Sequence, residues 1–216
     1  MLLAEAYYQI GRVHARASAV YTLQNKPNES ERLYDQSERD FQKAIALCHK
    51  HSPTDMPEYH PTLLADIHFE KGRLYTDREI RLGFAIQEYE FAGLNYEDLR
   101  YFSHAVKAYN AVVKIDPDYA NPYFYLGRTY ERYAVACETE EFDKYIEVAI
   151  AYYRLALQKS VPTEDSTGTS ARNAQVKSAS QTRFNTPQLM LQARYGLARC
   201  YDYIHDLEAY VLSDKE

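Results

Sequence analysis

Four stretches of the chain place an arginine four residues after an aromatic ring: Tyr8 and Arg12 in YQIGRVH, Phe69 and Arg73 in FEKGRLY, Phe124 and Arg128 in FYLGRTY, and Tyr195 and Arg199 in YGLARCY. On a helix that spacing puts ring and guanidinium on one face. A guanidinium is planar and always charged. It grips a carboxylate or phosphate through two parallel N–H bonds, while the ring beside it covers apolar surface. The chemistry on offer is recognition of an acidic group carried by a peptide. Composition alone would give roughly a few hundredths of a match to this pattern in such a chain, so the recurrence marks internal repetition. The copies begin 61, 55 and 71 residues apart.

A plainer use of the same arginines is also open. Arg73 has Asp77 four residues on, Arg128 has Glu131 three on and Arg199 has Asp202 three on, the spacings of ion pairs on a helix surface. Arg12 has no acidic neighbour at those spacings and has Arg16 on the next turn. The small residue of each copy, Gly11, Gly72, Gly127 or Ala198, falls on a different face, which Ile10 and His14 share in the first copy. A small residue there lets a paired helix approach closely.

Residues for catalysis are sparse. Cys48, His49, His51 and His60 imitate a metal cluster, but they fall at a helix end and in a loop without ligand spacing, so a solvated helix terminus is expected. The acidic run from Glu138 to Asp143 reads as a turn and helix start. No Walker loop, dinucleotide fingerprint, zincin helix or nucleophile elbow occurs in the sequence. The chain is therefore read as a non-enzyme, with no catalytic residue, cofactor or metal. Cys48, Cys137 and Cys200 lack ligand or redox spacing, which points to a reducing, cytoplasmic compartment. A formal charge of −6 argues against nucleic acid as partner. No apolar run approaches the roughly 18 residues of a membrane span.

The elements that must position the ring-and-arginine pairs are helices. Between Asp116 and Ala134 (DPDYANPYFYLGRTYERYA) an Asp-Pro turn is followed by Tyr123, Leu126, Gly127 and Tyr130 at the spacing of one helix face. Upstream, Ala105, Tyr109 and Val112 line a helix that Pro117 terminates. Small residue, ring, second small residue and Pro, in order over about thirty residues, resemble the tetratricopeptide repeat. The resemblance implies an all-α fold of antiparallel helix pairs in a right-handed superhelix, an α-solenoid, here of about seven helices. In proteins of this kind the first-helix positions occupied by Tyr8, Arg12, Phe69, Arg73, Phe124, Arg128, Tyr195 and Arg199 line a concave groove where peptides bind. The implied function is an adaptor or scaffold that binds a peptide or protein segment, with an acidic one favoured by the arginines. Two alternatives stand beside it: capture of a phosphopeptide, as in 14-3-3-like relatives, and an architectural scaffold without a peptide groove, with another copy of the chain as a compatible partner. The Lys and Asn clamp of chaperone-binding members is not matched, because Tyr8, Phe69, Arg12 and Arg73 stand at those positions.

Composition fits helices with one wet face: 46% of the residues are apolar, 26% are charged, there is no Trp, and the 22 Tyr suit half-buried faces. The expected layout is a single domain over 1–216, with repeat units at about 1–52, 61–117, 120–162 and 187–216; the abrupt helical start reads either as a very short native N-terminus or as a fragment of a longer array. The first helix, carrying Leu3, Tyr7, Ile10 and Gly11, is expected to run to about Gln24, with Ser30 capping the second. A helix from Leu64 is expected to persist through Ile86 and Tyr89 to about Phe91. Ala92, Gly93 and Asn95 then form a turn, and the next helix starts near Glu97. Residues 163–187 hold nine Ser or Thr and no periodicity, so they read as a mobile loop.

Overall fold

A computed structural model describes residues 2–50, 62–78, 81–137, 141–160 and 186–213. Among the described residues the fold is all-helical, with eight helices: α1 (Leu2–Leu23), α2 (Pro27–Lys50), α3 (Leu63–Asp77), α4 (Leu82–Asp98), α5 (Phe102–Ile115), α6 (Ala120–Ala136), α7 (Phe142–Lys159) and α8 (Thr186–Ser213). They form two compact units, residues 1–99 and 100–216, so the boundary falls inside the span 61–117 expected as one repeat.

In the first unit α1 and α2 run antiparallel. Ser18 meets Ser30 near the connection, Gly11 meets Ser37 and Phe41, and Tyr7 meets Lys43 at the far end. The reversal is made at Asn25, which adopts a left-handed φ of 57°, a conformation that Asn tolerates better than most side chains. Pro27 opens α2 where a missing amide hydrogen costs nothing. Ser30 is not a cap. Its hydroxyl is buried, donates to the Ser18 carbonyl at 2.9 Å and lies 2.7 Å from the Thr22 hydroxyl, so it joins the two helices instead.

The expected long helix from Leu64 to Phe91 is two helices. Thr76, Asp77 and Arg78 interrupt the apolar periodicity, α3 stops at Asp77, and α4 returns antiparallel beside it. This adds the eighth helix. Ala92 and Gly93 are buried within α4 rather than forming a turn, and Glu97 is a fully buried α4 residue. α4 ends at Asp98 instead and α5 begins at Phe102, with Arg100 between them left-handed at φ 63°.

In the second unit the Asp-Pro turn stands as expected between α5 and α6. The Asp118 amide donates to the Asp116 carboxylate at 3.1 Å, and the Tyr123 hydroxyl donates to the Pro117 carbonyl at 2.8 Å. α6 and α7 pair antiparallel, from Tyr133 against Tyr145 to Phe124 against Tyr153, and α8 packs on α7 and α6.

A common device closes three of these helix pairs. The glycine of each motif faces an aromatic ring of its partner helix: Gly11 on Phe41, Gly72 on Tyr89 and Gly127 on Tyr153. A Cβ on any of them would sit within 2.9 Å of a ring carbon, closer than carbon atoms pack. Each ring has small buried residues four before and three after it: Ser37 and Ala44, Ala85 and Ala92, Ala149 and Ala156. In the fourth copy the expected small residue, Ala198, is exposed, and Gly196 takes the close approach, against the hydroxyl end of the Tyr153 ring. Residues 51–61 and 161–185, which include His51, His60 and most of the expected mobile loop, lie outside the described residues.

Candidate functional site

The ring-and-arginine pairs are built into each unit differently. On α1, Tyr8 is buried against Phe41 and carries the Arg12 guanidinium 5.4 Å above its ring. Arg12 is not without an acidic partner: its Nε lies 3.8 Å from Glu70 Oε1 on α3, and it also donates to the Gln9 side chain at 3.2 Å. On α3, Phe69 packs edge-on against Tyr89, and Arg73 reaches Glu70 Oε2 at 2.8 Å rather than pairing at the Asp77 spacing. Both arginines of this unit therefore converge on one carboxylate. Asp66 stands nearby and accepts from Tyr96 and Thr62. Burial first, then the charge of Asp66, raises the Tyr8 phenol above its ordinary value, so the ring stays neutral.

The first unit is tied together by further charged bridges. Glu88 on α4 accepts from Lys71 at 2.7 Å and contacts His68 Nδ1 at 2.6 Å. Burial pushes its carboxyl up, but the hydrogen bond from His68 and the charge of Lys71 outweigh that and hold it below the ordinary range. Glu38 on α2 accepts from the Tyr75 hydroxyl at 2.7 Å and from Arg81 at 2.9 Å, while Arg78 lies 4.6 Å over the Tyr34 ring.

In the second unit Phe124 is buried, and the Arg128 guanidinium lies over it at 5.8 Å and over Tyr125 at 5.1 Å. The Glu131 carboxylate is claimed from another helix. Arg199 grips it bidentately, at 2.6 Å through Nε and 2.9 Å through a terminal nitrogen, and the buried Tyr153 hydroxyl donates to it at 2.6 Å. Arg199 thus binds α8 to α6 rather than pairing with Asp202 on its own helix. Its hydrogen bond to Glu131 raises its already high pKa further. Tyr195 is exposed, unlike its counterparts Tyr8 and Phe124.

Beside this bridge lies a cleft of about 270 Å³ lined by Arg100, Phe102, Glu131, Arg132, Val135, Ala136 and Tyr203. Two guanidinium groups and an apolar wall surround a carboxylate already neutralised by Arg199 and Tyr153. Such a cleft suits an anionic group attached to an apolar stem. Arg100, Arg132 and Tyr203 were not singled out in the sequence, because only the packing of α8 on α6 brings them together.

Cys48 and Cys200 are buried, and burial raises both thiols, Cys200 to about 12. Neither is poised as a nucleophile. Among the described residues no group of three His, Cys, Asp or Glu side chains is arranged to hold a metal ion. No described helix is long and apolar enough to cross a membrane.

Paired antiparallel helices closed by glycine on ring, repeated along the chain, define a helical repeat protein of the α-solenoid class. Residues 102–132, covering α5 and most of α6, match the family model of the TPR repeat. No curated protein and no solved structure matches the chain.

Proposed function

We propose that the chain is a protein-interaction module that receives an acidic segment of a partner protein, with the anionic group taken by the arginines of the second unit. The observation that carries this reading is the cleft at the α8 face of α6, where Arg100 and Arg132 stand beside Phe102, Val135 and Tyr203 and the Glu131 charge is already matched. Arg128, beside the Phe124 and Tyr125 rings, extends the guanidinium surface along α6. In the first unit Glu70 stands against Arg12 and Arg73, so Tyr8, Arg12, Phe69 and Arg73 contribute contact area more than charge. Tyr195 adds an exposed ring, and Arg199 holds the geometry from within.

The test begins with capture of a partner on the full chain and mapping of the bound segment. That segment is then titrated against Arg128→Ala, Arg132→Ala and Arg12→Ala at two salt concentrations. The second-unit variants are expected to lose roughly 1.5 to 3 kcal/mol each, the range for a hydrogen bond to a charged group, with Arg12→Ala losing less. Binding that ignores both second-unit substitutions and the salt concentration would sink the proposal.

A further inference from the structure

The outer face of α1 has no partner among the described residues, and its pattern is that of a helix seam. Leu3, Ala6, Ile10, Val13, Ala17 and Val20 alternate at spacings of three and four, the a and d positions of a heptad repeat. Leu3 and Ile10 are not on the packed face of the helix. Gly11, Ala4 and Ser18 are buried against α2, whereas Leu3, Ile10, Val13 and Val20 are between 46 and 61% exposed, and Leu2 and Leu23 at the two ends are 81 and 88% exposed. The seam lies roughly 140° round the helix from Arg12, so it is separate from the ring-and-arginine face.

The seam is palindromic in side-chain size. If two α1 helices cross antiparallel about the midpoint between Gly11 and Arg12, Leu3 meets Val20, Ala6 meets Ala17 and Ile10 meets Val13, and every layer recurs by symmetry. That is the requirement of an isologous two-fold interface, in which residue i meets j and j meets i. Charge agrees with this register. Arg16 is the fixed charge flanking the seam, and it comes beside Gln9 of the second copy while the two Arg16 side chains stay about 13 Å apart along the axis. The four large apolar side chains of the seam, with Leu2 beside them, at roughly 100 Å² each, offer on the order of 500 Å² per copy. With the flanking residues this approaches the roughly 800 Å² per partner of a standard interface.

We propose that α1 is a dimerisation helix, which pairs antiparallel with α1 of a second copy of this chain through the Leu3–Val20 seam. Sedimentation equilibrium of the full chain tests it. The expected result is a dimer with a dissociation constant in the micromolar range or tighter. Ile10→Glu, at an exposed position of the single chain, is expected to weaken it roughly 100-fold or more by placing a carboxylate in an apolar seam, with helix content by circular dichroism unchanged. Val13→Lys alone acts likewise. Mixing the Ile10→Glu and Val13→Lys chains restores the dimer, because the antiparallel register sets residue 10 against residue 13. A chain that stays monomeric at roughly 100 µM, or a dimer indifferent to Ile10→Glu, overturns the proposal. Rescue of Ile10→Glu by Ile10→Lys but not by Val13→Lys overturns the antiparallel register.

Discussion

Tyr153 is fully buried and held at three points: its ring touches Gly127 of α6 and Gly196 of α8, and its hydroxyl is bonded to Glu131. Replacing Gly196 by Ala brings a methyl group into this clamp. Its Cβ would stand 2.6 Å from Cε2 and 2.7 Å from Cε1 of the ring, and closer still to Cζ, where carbon atoms prefer roughly 3.5 to 4.0 Å. The ring is already in tight contact with Gly127 and its hydroxyl is bonded to Glu131, so most of the relief must come from a shift of about 1 Å in α8. Overpacking of this kind costs about 1 to 3 kcal/mol, and here the upper end applies. Against it stands the gain of about 1 kcal/mol when Ala replaces Gly inside a helix. The net expectation is a loss of about 2 kcal/mol, which lowers the thermal midpoint by roughly 4 to 8 °C in a chain of this size. Thermal and urea unfolding of Gly196→Ala measure this directly, and a double-mutant cycle with Tyr153→Leu assigns it. Once the ring is gone, Gly196→Ala should become neutral or stabilising. A raised midpoint for Gly196→Ala in the unmodified background would leave propensity as the governing effect and refute the clamp.

Other perturbations reach other joints. Glu131→Gln removes the charge that Arg199 grips and should cost about 1 to 3 kcal/mol, less than a fully buried pair because Arg199 is partly exposed, with faster amide exchange in α8 as the local readout. Glu88 is held below its ordinary value of 4.5, so its contribution to stability is complete above that pH and is lost as the pH falls through the lowered value in the folded state. Urea titrations between about pH 3 and 6 should therefore show a steep acid limb that Glu88→Gln flattens, and equal slopes would dismiss the bridge.

The periodic part of the fold was legible in the residues. The Asp116–Pro117 stop and the small residues of the first three motifs are local signals that follow from helix spacing, whereas the partner-helix rings that meet them, and Gly196 in place of Ala198, are set by packing. Boundaries set by packing were not. Gly83, Ala92 and Gly93 look like breakers in sequence, yet they are buried inside α4, where small size serves close contact. Arg100 carries no turn signal and still adopts a left-handed φ between α4 and α5. The candidate site divides in the same way. The ring-and-arginine pairs were visible because they repeat, whereas the carboxylates that claim them, Glu70 for Arg12 and Arg73 and Glu131 for Arg199, act across helices and follow no sequence spacing. Ile10 shows the converse error. Its neighbour Gly11 is buried, and a step of one residue carries Ile10 out to solvent.

The buried thiol of Cys200, beside the Glu131 and Arg199 bridge, has a consequence for how motion of α8 can be followed. With its pKa raised to about 12 from 9, it holds on the order of a thousandth of the thiolate that an ordinary cysteine carries at neutral pH. An alkylating reagent therefore finds almost no nucleophile there until the helix lifts and the sulfur meets water. At reagent concentrations where capping outpaces reclosing, the rate at which Cys200 is capped counts opening events rather than chemistry. The chain carries its own clock for the breathing of its last described helix, read from a single sulfur atom without any added label.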